Sequence, residues 1–232
     1  MNVLIACEES QTVCLAFRRK GHNAFSCDLQ SPSGGHVEWH ILGDATKLLK
    51  SRDIVFNTMD GVEHIIPKWD LLIAHPPCTY LSNVCTRGFS LKSTQAEKVV
   101  DRWKKRAEAA VFFMYFALAP IECIAVENPV GFMNTAFRKA DQIIDPYMFA
   151  ESEQDEDNYV TKRTCLWTKN LPKLIKTNKL KRPDNKKCLE LIRAGKQEPG
   201  RIRFTAEKQE AKHSQASHRR WRNNGEVQNY DD

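Results

Sequence analysis

Short apolar runs recur along the first 130 positions, and each is closed by polar or turn-forming residues. Residues 2–6 (NVLIA) predict a buried first strand. Residues 11–20 place Val13, Leu15, Ala16 and Phe17 in a helical stretch, with Ser10 or Thr12 as its cap and Gly21 as its stop. Residues 23–27 predict a second strand ending on Asp28, and a Pro/Gly/Ser loop follows at 31–35. Residues 36–42 are a third strand candidate, ending on Gly43-Asp44. Residues 69–74 predict a fourth, ending on His75-Pro76-Pro77-Cys78. Residues 93–119 read as a long helix stopped by Pro120, and residues 121–126 as a fifth strand ending on Glu127-Asn128-Pro129. After Ala150 the pattern weakens to an acidic loop (151–157) and one more strand candidate (164–168). Beyond Lys169 the chain is basic and poorly periodic, with only weak helical character over 204–221 and no internal repeat. Buried strands alternating with helices predict an α/β fold, a mostly parallel sheet with helices on both faces.

Composition adds exclusions. The 232 residues are 41% hydrophobic and 28% charged, which sets aside disordered, collagenous and disulfide-scaffold classes. No apolar run reaches the roughly 18 residues that a membrane span needs. The opening MNVLIACEES lacks a basic leader and reads as a strand, not a signal peptide. The net charge of +6 is unevenly spread. Residues 1–161 hold 16 Lys and Arg against 21 Asp and Glu, whereas residues 162–232 hold 19 against 8. Such asymmetry suggests a polyanion-binding segment, the alternative being a solvated lysine-rich tail. Eight cysteines contain no C-x-x-C spacing, so no metal site is expected, and most read as reduced core residues in a cytoplasmic setting.

In an open α/β sheet, ligands gather at the carboxyl ends of the strands. Here those ends read Cys7-Glu8-Glu9, Asp28, Asp44, His75-Pro-Pro-Cys78 and Glu127-Asn-Pro129. Asp28 stands where such folds place an acid against ribose hydroxyls, or else is a solvated turn residue. Asp44 is placed to accept from an adenine amine or to cap a short helix, and the two roles are compatible. No glycine occurs before Gly21, so the pyrophosphate cradle of NAD or FAD sites is missing. S-adenosylmethionine carries no phosphate, and its cationic groups suit the Glu8/Glu9 acids. Cys78, stiffened by two prolines at a strand end, is the leading candidate nucleophile, with a structural turn cysteine as the alternative. Glu127, on the next strand, is a candidate acid for a ring nitrogen, or a turn cap.

Pro76-Pro77-Cys78 followed by Glu127-Asn128-Pro129 resembles the catalytic motifs of the DNA cytosine-5 methyltransferases. Residues 160–167 (VTKRTCLW) look like that family's later Gln-x-Arg-x-Arg strand. The wording IACEES…CDL…GD…WDLLIAHPPCTYLS…ENP…KRTCLW is similar to a compact, phage-encoded branch of the family, without the usual target-recognition domain. The resemblance spans about residues 1–172. It implies a Rossmann-like methyltransferase body at 1–172 and a basic segment at 173–232 for nucleic acid, with DNA as partner. It implies catalytic roles for Cys78, which adds to carbon 6 of cytosine, for Glu127 on the ring nitrogen and amine, and for Arg163. Cofactor contacts would fall on Cys7, Glu8, Ser10, Asp28, Leu29, Asp44 and Pro76, and substrate contacts on Pro77, Asn128, Pro129 and Lys162. The chain departs from the family in its first motif, which reads Cys7-Glu-Glu-Ser-Gln11 instead of glycine-rich, and Asn223-Asn224-Gly225 is a weak match to the closing motif. His75 receives no role. Competing readings are carbon-5 modification of a free cytidine nucleotide, amino-methylation of a base, and an inactive methyltransferase-like protein that binds nucleic acid or a host protein as a decoy against restriction.

Overall fold

The computed structural model describes residues 1–92, 94–155 and 158–184. Seven strands form one sheet: β1 (Asn2–Ala6), β2 (Asn23–Asp28), β3 (His40–Leu42), β6 (Leu71–Ala74), β7 (Cys123–Pro129), β8 (Gln142–Ile144) and β9 (Thr164–Lys169). Their spatial order is β3-β2-β1-β6-β7-β9-β8. The first five run parallel, and β9 and β8 extend the sheet through antiparallel pairings. A separate antiparallel hairpin joins β4 (Ile54–Asn57) to β5 (Glu63–Ile66). The chain moves outward from β1 to β2 and β3, then crosses back to β6. The strand order therefore reverses between β1 and β6, which is where such sheets open a ligand crevice.

The alternation of side chains assigns the two faces. Leu4 and Ala6 of β1 join Phe25, Leu72 and Ile124 in the larger core, with Ala110, Phe113 and Phe116 of helix α2 (Ala96–Ala117). Val3 and Ile5 point the other way and meet Cys14 of helix α1 (Thr12–Arg19), with Val13 and Phe17 packed beside it. The unbroken apolar run 3–6 of β1 is thus explained by a strand buried on both faces. Phe25, Phe56, Trp69 and Trp167 weight the larger core, and the Phe25–Phe56 rings meet edge to face at 4.9 Å. Each such pair adds about 1 kcal/mol beyond simple burial.

Several sequence expectations shift. The third strand does not span 36–42: Val37–Trp39 form a 3-10 turn and only His40–Leu42 pair with β2. The turn is favoured because the His36 ring stacks on Trp39 at 4.3 Å, which a strand would hold on opposite faces. The fifth strand runs through Glu127-Asn128-Pro129 instead of stopping before them, because β9 continues the pairing, Glu127 with Leu166, Asn128 with Cys165 and Pro129 with Thr164. The expected Ser10 or Thr12 side-chain cap on α1 is replaced by one from Glu8. The hairpin β4–β5 and the three-residue β8 were not expected from the pattern.

The first part of the basic segment is tied to the sheet edge. Gln142 exchanges two hydrogen bonds with the Leu174 backbone at 2.7 and 2.8 Å, and Asn178 donates to the carbonyls of Tyr147 and Ala150. Cys188, the helical stretch considered at 204–221 and Asn223-Asn224-Gly225 lie outside the described residues. No helix among the described residues is long and apolar enough to cross a membrane.

Candidate active site

β1 ends by turning left-handed at Cys7 (φ 60°), whose N–H donates to the Cys27 carbonyl at 2.8 Å. The next residue, Glu8, is buried, and its two carboxylate oxygens accept from the N–H groups of Val13 (2.5 Å) and Cys14 (3.1 Å). A helix N-terminus attracts anions through its free N–H groups. Here the chain supplies that anion itself. Burial raises the Glu8 carboxyl from its ordinary range, and the two N–H contacts and His75 oppose the rise. Gln11, also left-handed (φ 59°) and fully buried, stitches the 31–36 loop down: its amide donates to the His36 carbonyl at 2.8 Å, and its oxygen accepts from His36 N–H at 3.0 Å.

Asp28 closes β2 and accepts from the N–H of Gln30 at 3.0 Å. Asp44 accepts from both the N–H and the hydroxyl of Thr46, so its capping role is realised. These acids share one electrostatic neighbourhood with Cys7. Burial first, then Asp28, Cys27 and Asp44, push the Cys7 thiol well above the usual thiol range. A thiol so held stays protonated at neutral pH, and the Asp28 and Asp44 carboxylates lie near enough to disfavour its thiolate. Leu29 is exposed, as is Ser10, whose hydroxyl only accepts from Thr12 N–H at 3.4 Å.

The ends of β6 and β7 are organised differently. Their backbone pairing stops at Ala74 with Val126. Pro76 and Pro77 have no N–H to continue it. Side chains bridge the strands instead. Asn128, buried, donates to the Pro76 carbonyl at 2.8 Å, and His75 Nδ1 lies 3.4 Å from Glu127 Oε2. Two polar atoms here are buried without a hydrogen-bond partner, His75 Nε2 and Asn128 Oδ1. Cys78 follows, half-buried, its carbonyl accepting from the N–H groups of Leu81 and Ser82. Burial and then Glu127 raise its thiol above the ordinary value, while Lys162 pulls it back down. Cys78, Glu127 and Lys162 are therefore electrostatic neighbours. Arg163 is exposed just ahead of β9 and acts on the Cys165 thiol.

The loop that carries Cys78 is stapled to the loop after β7. Phe132 N–H donates to the Leu81 carbonyl at 2.7 Å, Asn83 N–H to the Val130 carbonyl at 3.3 Å, and Ser82 bridges Gly131. A Cβ at Gly131 would lie inside the Leu81 carbonyl oxygen, so only glycine admits this approach. From the other side Arg106 of α2, buried, donates to the Tyr80 carbonyl at 2.9 Å and stacks its guanidinium 3.4 Å over Phe89. Sequence reasoning missed Gln11, His75, Arg106 and Gly131. For His75 a signal existed: it directly follows Ala74, whose register partner directly precedes Glu127. Among the described residues no cluster of three or more His, Cys, Asp or Glu is arranged to hold a metal ion.

No family model matches the chain, and no curated protein matches it by sequence. Among solved structures it is similar to a candidate DNA modification methyltransferase encoded within a prophage (E. coli), with a TM-score of 0.37 and 15% identity over 72% of this chain. The match covers 46% of that structure, so the chain spans less than half of its length.

Proposed function

We propose that this chain is an S-adenosylmethionine-dependent methyltransferase that modifies carbon 5 of cytosine in DNA. The observation that carries the reading is the pairing of Cys78 with Glu127 across adjacent strand ends, with each placed by contacts that fix its loop. A thiol adds to carbon 6 of a pyrimidine when the ring accepts a proton at nitrogen 3, and a carboxyl group beside the thiol is suited to deliver or stabilise that proton. Cys78 would form the bond to carbon 6 and lose its thiol proton, Glu127 would hold the ring nitrogen and exocyclic amine, and carbon 5 would become nucleophilic. S-adenosylmethionine, when bound, supplies the electrophilic methyl group. Loss of the carbon-5 proton to water then restores the double bond between carbons 5 and 6 and breaks the bond to Cys78, whose sulfur takes back the proton that the ring held at nitrogen 3. The raised thiol suits this order, because the proton leaves only once a ring is present to receive it.

The cofactor reading rests on the β1–β3 side. Glu8 fills the α1 N-terminus, so a pyrophosphate would meet a carboxylate there. A cation would not. The Asp28 and Asp44 carboxylates, which add to the burial that raises the Cys7 thiol, favour a sulfonium and an ammonium; Asp28 would meet the ribose hydroxyls and Asp44 the adenine edge. Pro76, Pro77, Asn128 and Pro129 would frame the base, and Lys162 and Arg163 would meet its carbonyl or the adjoining phosphates. In duplex DNA the base would have to leave the stack. Release of tritium from carbon-5-labelled cytosine in DNA tests the whole reading. Time-dependent release by the wild type and none by Cys78→Ala are expected; no release by the wild type, or full release by Cys78→Ala, would overturn it.

A further inference from the structure

His75 stands at the β6–β7 gap, and the chemistry above does not use it. Its backbone is fixed, with N–H donating to the Ala6 carbonyl at 3.0 Å at the end of β1. Its ring reaches sideways to Glu127 Oε2 at 3.4 Å, with both side chains about 70% covered, at 30% and 28% exposure. With Glu127 as a carboxylate, which only accepts, the contact is made by the tautomer that carries its proton on Nδ1. Glu8, at the end of β1, is a second carboxylate within electrostatic reach of His75. Its far nitrogen, Nε2, is buried without a partner. A buried polar atom left unsatisfied is costly and calls for an explanation. The ring is held for the sake of its Nδ1 side.

We propose that His75 is a positioning residue for Glu127: its Nδ1–H holds Oε2, so that Oε1 is the oxygen presented to the cytosine ring. This rests on the cytosine reading above. It predicts a defect in turnover and not in binding, because a misaligned acid costs most in the transition state. The length of the contact is consistent with a catalytic hydrogen bond that tightens only when the ring binds.

Two measurements on the full chain test it. Histidine 15N NMR should find His75 protonated at Nδ1, and Glu127→Gln should change that ring's signals. In tritium release, His75→Ala should lower kcat about 100-fold with KM for DNA and for S-adenosylmethionine little changed. His75→Asn should recover most of the loss, because its amide nitrogen stands near the place of Nδ1. The proposal is overturned if His75→Ala turns over like the wild type, if folded His75→Asn is no better than His75→Ala, or if Glu127→Gln leaves the His75 ring unchanged. No tritium release by the wild type would instead sink the cytosine reading, and with it the ring that Oε1 would meet; the NMR change still decides the His75–Glu127 bond on its own.

Discussion

The two halves of the strand-end edge treat their polar groups in opposite ways. At β1–β3 nearly every polar side chain is spent on the protein itself: Glu8 on the α1 N–H groups, Gln11 on His36, Asp44 on Thr46, and buried Ser26 on buried His40 at 2.8 Å. At β6–β7 the side chains bridge two strands and still leave Asn128 Oδ1 and His75 Nε2 unsatisfied. The first half builds a fixed, negative shell. The second keeps hydrogen-bonding capacity in hand next to Cys78, a half-buried thiol that neighbours both Glu127 and Lys162. Acids at strand ends look alike in a sequence, yet Glu8 and Asp44 accept from backbone N–H groups whereas Glu127 reaches across to His75.

The contrast can be broken most severely at the staple. Gly131→Ala should drive the 129–132 loop off Leu81, abolish tritium release and cost about 3 kcal/mol of stability, read as a lowered Tm beside the activity. Glu127→Gln should come next, with kcat reduced at least 100-fold while Cys78 moves the other way. A carboxylate beside a thiol disfavours the thiolate, so removing its charge lowers the Cys78 thiol toward its ordinary value. Iodoacetamide should then label Cys78 faster at neutral pH than in the wild type, although turnover has gone. An unchanged labelling rate would mean that the two side chains are not coupled.

On the β1–β3 half the effects should be smaller and of another kind. Asp28→Asn should weaken S-adenosylmethionine binding about tenfold, the scale of one charged hydrogen bond, as read by calorimetry, with kcat at saturating cofactor nearly kept. Glu8→Ala should leave two helix N–H groups without acceptors and cost about 1 kcal/mol, the usual worth of a cap, seen as a lower urea midpoint. If Glu8→Ala instead abolished cofactor binding with stability intact, the assignment of Glu8 to the helix would be wrong.

Much of this architecture is legible in the chain. The apolar runs at 3–6, 71–74 and 123–126 need no alternation to be recognised, because both faces of the sheet are covered there, and β2 keeps residues 24–27 buried although Ser26 interrupts its run. The period of α2 follows from burial of Val99, Arg106, Ala110, Phe113 and Phe116 on one side. The hairpin β4–β5 was missed although Asp60-Gly61 marks its turn, because half of its apolar residues, Val55 and Ile65 among them, point to solvent and blur the pattern. In the site, Cys78 and Glu127 could be picked by residue type, since few side chains do nucleophilic or acid chemistry. Glu8 could not be assigned, because a carboxylate that caps a helix and one that awaits a cation carry the same letter. Gly131 and Arg106 were invisible for a further reason: their roles exist only in the contact between segments 20 to 50 positions apart.

Pro76 and Pro77 give the sheet a place where it stops being zipped. Up to Ala74 the neighbours β6 and β7 share backbone hydrogen bonds; past it they share only side-chain contacts, while β7 remains paired to β9 on its other flank. Widening or narrowing that slot therefore changes rotamers and not ladders. Amide protons along β7 should exchange at the same slow rate whether or not the slot is filled, and the sheet keeps its full cooperativity while its mouth adjusts.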